Sequence, residues 1–319
     1  MKLTHSLFVP LWIMGFATGV LASDGQVATV AQVEGRAQIF TRPSKKLDPK
    51  VAADDGVIAS FEGEYYRVKD LKASDRVENG NVVRTLPGAK VKVIYDNGDQ
   101  IYVGPGSSYR ISWKGEVKTV PEIRLAYGRI RGVISKEGPR KKVIIRTRSA
   151  VMGVRGTDFF ISDEGQGETS VSVLRGAVEV APTRGKATVV ETGMTAEVLT
   201  KRVEIPLRKI SKEDLGEIRV ASSLPVKKDP AQESLKVLEQ KALEVTLKDI
   251  RTYQPELLKD IPQSSSGQVA VADLNAKVVD IAAVSAPSIP KRKRPGLEEL
   301  KSPDGVDYYE KYFQGGGSH

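Results

Sequence analysis

From about Val27 to Val203 the chain runs in short β-branched segments with near period-two alternation, broken by Gly, Asn, Asp or Pro at intervals of roughly ten residues. Such a period sends successive side chains to opposite faces of an extended strand and is incompatible with a helical stripe. Lys90-Val91-Lys92-Val93-Ile94-Tyr95, the turn Asp96-Asn97-Gly98-Asp99 and then Gln100-Ile101-Tyr102-Val103 show the pattern in full. Asn97-Gly98 between two such runs predicts a hairpin, since both residues accept the positive φ of a tight turn. Val143-Ile144-Ile145, Phe159-Phe160-Ile161, Val171-Ser172-Val173-Leu174, Val178-Glu179-Val180 and Thr188-Val189-Val190 follow the same logic. Residues 27–203 therefore read as an all-β domain, a sandwich, roll or short solenoid, with no choice among them from spacing alone. A faint repeat, a glycine followed by alternating apolar positions, recurs at Gly35, Gly128 and Gly176. The simpler explanation is that glycine marks the turn before each strand.

The chemistry open to this chain is narrow. Its 319 residues include no cysteine and two histidines. His5 lies in a segment that reads as cleavable, and His319 follows a Gly315-Gly316-Gly317-Ser318 run that reads as a linker. Without imidazole or thiol there is no Ser-His-Asp or Cys-His catalysis, no Cys/His zinc, Fe–S or haem site, and no disulfide. The one Ser-x-x-Lys, Ser288 to Lys291, sits in a Pro-rich basic segment where no rigid pocket is expected. Asp96 and Asp99 flank a tight turn, and Asp163-Glu164 precede a Gly-rich loop, so turn chemistry accounts for them. Asp96 to Asp99 also lacks the distal bidentate Glu of an EF-hand-like calcium loop. No enzyme, cofactor or metal is expected.

The N-terminus reads as a secretory signal over residues 1–22. Lys2 supplies the basic region, Leu7 to Ala22 is uncharged, and Val20-Leu21-Ala22 places small residues for a cut before Ser23. The apolar stretch contains Pro10 and Gly15 and falls short of the roughly 20 residues a spanning helix wants. The expectation is a periplasmic protein, not membrane-spanning after cleavage; a retained leader would make it inner-membrane anchored. Net charge is +9, from 49 basic and 40 acidic residues, a mild preference for anionic partners. Export turns that preference from nucleic acid, which is not expected as a partner, toward lipid phosphates, glycans and cell-wall polymers.

After Val203 the period changes. Ser211-Lys212-Glu213-Asp214 opens a short helix with an acid at the capping-box position. A longer helix is predicted from Asp229-Pro230 through Leu235, Leu238, Ala242, Val245 and Ile250, whose apolar face must dock on the β domain or on a partner helix. Together they form a helical extension over 211–260. From 264 to 319 Ser, Ala, Pro and Lys dominate, with the basic cluster Lys291, Arg292, Lys293 and Arg294 and terminal aromatics Tyr308, Tyr309, Tyr312 and Phe313. That composition reads as a flexible tail, tethered electrostatically to an anionic envelope surface.

A family resemblance rests on Gly98-Asp99-Gln100-Ile101-Tyr102-Val103-Gly104-Pro105-Gly106-Ser107-Ser108-Tyr109, on Leu125-Ala126-Tyr127-Gly128-Arg129-Ile130, and above all on Ile145 to Phe159 with its ending Arg155-Gly156-Thr157-Asp158-Phe159. Val173-Leu174-Arg175-Gly176-Ala177-Val178-Glu179-Val180 and Glu191-Thr192-Gly193 complete it. These segments resemble the periplasmic domain of the FecR family. The resemblance implies a periplasmic β module in a sensing or scaffolding role. The best-known members of that family are inner-membrane regulators with a cytoplasmic anti-sigma segment; here only Met1 to Ser6 precede the apolar stretch, so that segment is expected to be missing.

Two surface sites are candidates. In the motif, Gly156 would permit a bend and Thr157 or Asp158 would satisfy turn amides, or else Arg155 would face an anionic ligand that Asp158 orients. On the strand Lys142 to Arg148, Lys142, Arg146 and Arg148 share one face, and with Arg129 and Arg131 they would make a basic binding face; a solvated face guarding an edge strand is the plainer reading. The expected function is a non-enzymatic scaffold or sensor module that binds a periplasmic or outer-membrane protein. The alternatives are a binder of glycan, peptidoglycan or lipid A, and a membrane-anchored signalling regulator.

Overall fold

The computed structural model describes residues 26–47, 57–112, 120–136, 142–224, 233–258, 275–276 and 278–279. The signal segment, the cluster Lys291, Arg292, Lys293 and Arg294, and the terminal aromatics lie outside the described residues.

Eighteen strands among those residues build two sheets that face one another. The first sheet runs, in spatial order, β5 (Arg76–Glu78), β1 (Gln26–Glu34), β7 (Lys90–Tyr95), β8 (Gln100–Val103), β10 (Glu122–Val133), β13 (Asp158–Asp163), β14 (Glu168–Arg175), β17 (Met194–Leu199) and β18 (Leu207–Lys209). The second runs β3 (Val57–Phe61), β4 (Glu64–Asp70), β2 (Ala37–Ser44), β6 (Val82–Thr85), β9 (Ser108–Ser112), β10 again, β11 (Val143–Arg146), β12 (Ala150–Val154), β15 (Ala177–Pro182) and β16 (Thr188–Glu191). β10 pairs parallel with β11, and the other described ladders are antiparallel. Of the forms left open by strand spacing, this is a sandwich. Its core is one continuous cluster to which both sheets contribute, including Val30, Val93, Ile101, Ile130, Phe159 and Val171 from the first and Ile39, Val83, Tyr109, Ile123, Ile145 and Met152 from the second. Phe40, Phe61 and Tyr66 make a satellite aromatic triangle from β2, β3 and β4, with ring centroids 6.0 to 6.4 Å apart.

β10 belongs to both sheets. Its first half, Glu122 to Tyr127, lies between β9 and β11; its second half, Gly128 to Val133, lies between β8 and β13. The transfer happens at Gly128, which has φ +95 and whose missing Cβ leaves room for Ser107. Ser107 Oγ accepts from the Arg129 backbone N–H at 2.8 Å and donates to the Arg129 carbonyl at 3.2 Å, which stitches the bend closed. The glycine repeat thus divides: Gly35 and Gly176 sit in turns before strands, whereas Gly128 is inside one. In the predicted hairpin of β7 and β8, Gly98 alone takes positive φ, since Asn97 instead turns its side chain onto Asp99.

Helices cover the outer face of the first sheet. α1 (Lys212–Ser222) starts with the full reciprocal capping box: Asp214 N–H donates to Ser211 Oγ at 3.1 Å, and Ser211 N–H donates to the Asp214 carboxylate at 2.8 Å. α2 (Glu233–Tyr253) lays Leu238 and Ala242 on Ala31 and Ile94, and Ile250 near Phe160, Leu174, Leu215 and Ile218. The long helix therefore docks on the β domain. Asn275, Val278 and Val279, inside the segment read as a flexible tail, are helical and buried beside these residues, because two valines and an asparagine at helical spacing supply one apolar edge with a polar anchor.

Gly63 also has positive φ, +77, but open space where a Cβ would stand. Gly63→Ala should cost about 1 to 2 kcal/mol for the left-handed backbone alone, and Gly128→Ala at least about 3 kcal/mol because the methyl also meets Ser107. Urea unfolding of both variants measures the difference; equal costs would show that the bend does not depend on this close approach.

Candidate functional site

The family motif turns between β12 and β13. Gly156, φ +66, passes so close to Lys136 that a side chain would overlap it, and Phe159 lays its ring in the space left by Gly132 on β10. The backbone of Gly176 lies against Gly156 and Thr157, so the Leu174-Arg175-Gly176 segment and the motif meet in space. Thr157, Asp158 and Phe159 are buried and Arg155 is exposed.

Asp158 does not serve turn amides. It points to the helix side of the first sheet and forms a two-pronged pair with Arg131, Nε to Oδ1 at 2.9 Å and Nη2 to Oδ2 at 2.7 Å. Both side chains are 2 % exposed or less. Burial alone would lower the pKa of Arg131, but the adjacent Asp158 carboxylate outweighs it and holds the guanidinium's pKa above its ordinary value. Arg131 also donates to Ser222 Oγ on α1 at 3.2 Å and to the Asn275 carbonyl at 2.8 Å.

Around this pair the sheet and helices share a buried polar layer. Arg175 at the end of β14 reaches Asp249 of α2 at 3.3 Å, and the same carboxylate accepts from the Lys136 backbone N–H at 3.0 Å and from Ser135 Oγ at 3.4 Å. Asp99 Oδ1 accepts from the Ser135 backbone N–H at 2.8 Å. Gln100 donates to Thr246 of α2, and Asn275 donates to Gln100 and to the Tyr102 hydroxyl. Lys92 stands 5.5 Å from the Tyr102 ring centroid and 4.0 Å from Glu239 of α2. The period-two pattern explains the location of Lys92, Gln100, Tyr102, Arg131 and Asp158, which alternate with core residues and so face the helices; Arg175 breaks the alternation of Val171 and Val173 and joins them at the register shift opposite Asp158.

The candidate basic face is not assembled. Arg129 and Arg131 lie on the second half of β10, in the helix-covered sheet, where Arg131 is buried and Arg129 stands 3.6 Å from Glu217 of α1. Lys142, Arg146 and Arg148 lie toward the other sheet, because β10 changes sheets at Gly128. There Lys142 meets Glu179 at 3.5 Å and Arg146 meets Glu122 at 2.9 Å, which makes that face charge-balanced. Arg148 lies beside Asp163. That carboxyl is buried, which raises its pKa; hydrogen bonds from the Gly165 N–H at 2.7 Å and the Thr169 hydroxyl at 2.8 Å, together with Arg148, offset the rise only in part. Thr147 and Ser149 extend this cluster through the Thr169 hydroxyl. Among the described residues no group of His, Cys, Asp and Glu is arranged to hold a metal ion.

Asp158→Ala should cost about 3 to 5 kcal/mol, since it leaves Arg131 buried without its counter-charge, whereas the double change Arg131→Met with Asp158→Leu should cost much less. Thermal unfolding compares them, and similar losses would mean that the pair itself carries the stability. Asp163 has the opposite sign from a salt-bridged carboxylate. Its folded form holds the proton more tightly than the unfolded chain, so its ionisation takes stability away as pH rises. The Tm of wild type relative to Asp163→Asn should rise as pH is lowered from about 7 to about 4; a pH-independent difference would refute the raised value.

Residues 81–179 match the FecR protein family model. Two crystal structures of a candidate anti-sigma factor from Parabacteroides distasonis ATCC 8503 are similar over part of the chain. The 1.65 Å structure is 19% identical, with 40% of this chain and 59% of that one covered and a TM-score of 0.35. The 2.50 Å structure is 18% identical, with 50% and 73% covered and a TM-score of 0.38. The chain thus spans about three fifths of the first of these. No curated protein matches it. The Arg155 to Phe159 turn and the Leu174-Arg175-Gly176 segment, packed on each other, both lie inside residues 81–179, the part of the chain that matches the FecR protein model.

Proposed function

We propose that this protein is an exported, non-enzymatic module of the cell envelope, whose FecR domain recognises a periplasmic or outer-membrane protein as a scaffold or sensor. FecR domains belong to regulatory proteins, and the observation that carries the reading to this chain is the use to which the matched residues are put. Gly156, Asp158 and Phe159 are consumed in the bend, the Arg131 pair and the core, so the motif builds a rigid frame for a surface instead of a reacting centre. Among the described residues no helix is long and apolar enough to cross a membrane. Binding to glycan, peptidoglycan or lipid A draws less support, because Lys142 and Arg146 already have carboxylate partners and exposed pairs of this kind leave little net field.

Pull-down from envelope extract and sedimentation with peptidoglycan, each with wild type and Arg146→Glu/Arg148→Glu, separate the readings. Capture of the same envelope protein by both forms, with neither sedimenting, is the expected result. Sedimentation of wild type that the double variant loses would overturn it in favour of the polymer.

A further inference from the structure

The contacts that fix α2 to the first sheet combine apolar packing with a set of polar pairs. Asp249 and Glu239 answer Arg175 and Lys92, Thr246 answers Gln100, and the Lys241 ammonium donates to the Asp96 carbonyl. Apolar packing comes in three places, Leu238 and Ala242 on Ala31 and Ile94, Val245 on Gly98, and Ile250 with Leu243 and Leu247 near Phe160 and Leu174. Buried ion pairs add little net stability compared with apolar contacts of the same size, but they set register sharply. An interface of this kind orients a helix well and holds it less firmly than the sandwich core is held. One acceptor in the layer, Asn275 Oδ1, is buried with no hydrogen-bond partner among the described residues.

The charges are divided unequally between the two sides. Arg131 is neutralised from within the sheet by Asp158, whereas the counter-charges of Lys92 and Arg175 come from α2. With α2 lifted, the face would present two cations on β7 and β14, with Gln100 and Tyr102 among the polar groups of that face. The two carboxylates that satisfy them are ten positions apart on one helix, about 15 Å along its axis.

We infer that α2 is a displaceable cover over a docking face, and that the face takes an amphipathic helix of a partner protein bearing two carboxylates spaced as Glu239 and Asp249 are. α2 then occupies the site as an internal mimic of the partner, and the apparent affinity of the partner is reduced by the fraction of chain in which α2 is seated. The inference rests on the reading of the chain as a binding module only for the existence of a partner; the cover is testable without one.

The probe is a labelled synthetic peptide of residues 233–253, added to the full chain and followed by fluorescence anisotropy. Asp249→Asn in the chain, which weakens its own cover, should tighten peptide binding by about tenfold or more; Glu239→Gln is the second variant of the same kind. Because the chain has no cysteine, Ala31→Cys/Ala242→Cys is a clean lock between two residues of one packing cluster. Oxidation of that variant should abolish peptide binding and reduction should restore it. A peptide carrying Glu239→Gln and Asp249→Asn should bind about tenfold or more weakly. Amide exchange of β10 and β13 reports whether each variant keeps its sandwich. Equal binding to locked and reduced chain, equal binding by the two peptides, or no binding to either weakened chain with the sandwich intact would overturn the inference. No envelope component enters this test, so failure to capture a partner from extract bears on the proposed function and leaves the role of α2 standing.

Discussion

Everything in this sandwich hangs on one strand being allowed to change sheets. A strand that stays in one layer pairs with two neighbours; β10 has four, because the close approach of Ser107 to Gly128 turns its second half across the core. The bend fixes where Ile123 and Ile130 enter the core from opposite sheets. It also sends Arg129 and Arg131 to the helix side while Arg124 and Arg146 of β11 look the other way. The separation of a helix-covered polar face from a charge-balanced outer face follows from that single backbone position.

The two faces of the first sheet then solve different problems. Toward the core, Val93, Ile101, Ile130, Phe159 and Val171 bury apolar area against the second sheet, which is the term that stabilises the fold. Toward the helices, charged and amide groups are buried with partners of defined geometry, so this layer contributes orientation more than cohesion. The Arg131 to Asp158 pair stands between the two roles. It ties the motif turn to β10 within the sheet, and through Ser222 and Asn275 it is also where helical segments are gripped.

Strand composition, the hairpin at Gly98 and the capping box at Ser211 were legible in the sequence because each is a local signal, decided by residues within a few positions of one another. The docking of the long helix was legible too, from the spacing of Leu238, Ala242 and Ile250. The site was not. Arg129 and Arg131 beside Arg146 and Arg148 look like one basic surface until β10 is seen to leave its sheet, and the Gly128 that causes this resembles the turn glycines Gly35 and Gly176 in the sequence. The buried pairs join residues 27 positions apart in Arg131 and Asp158 and 74 apart in Arg175 and Asp249, beyond the reach of local pattern. One trace was present: arginines and a lysine in mid-strand, flanked by valine and isoleucine, on a face that had to be covered if the predicted helices were to dock.

β10 has a further consequence for how such a chain comes together. Its partners β8 and β9 precede it, and β11 and β13 follow it, so neither sheet is complete at its centre until residues near Asp163 have joined. A two-layered protein is often imagined as two halves that meet. Here the halves are divided along the chain: in both layers the strands before β10 lie on one side of it and the strands after it on the other, so a fragment ending before β11 would carry a central strand with open edges in both layers at once. Among the described ladders β10 is therefore the one strand through which the two halves of the chain are hydrogen-bonded to each other.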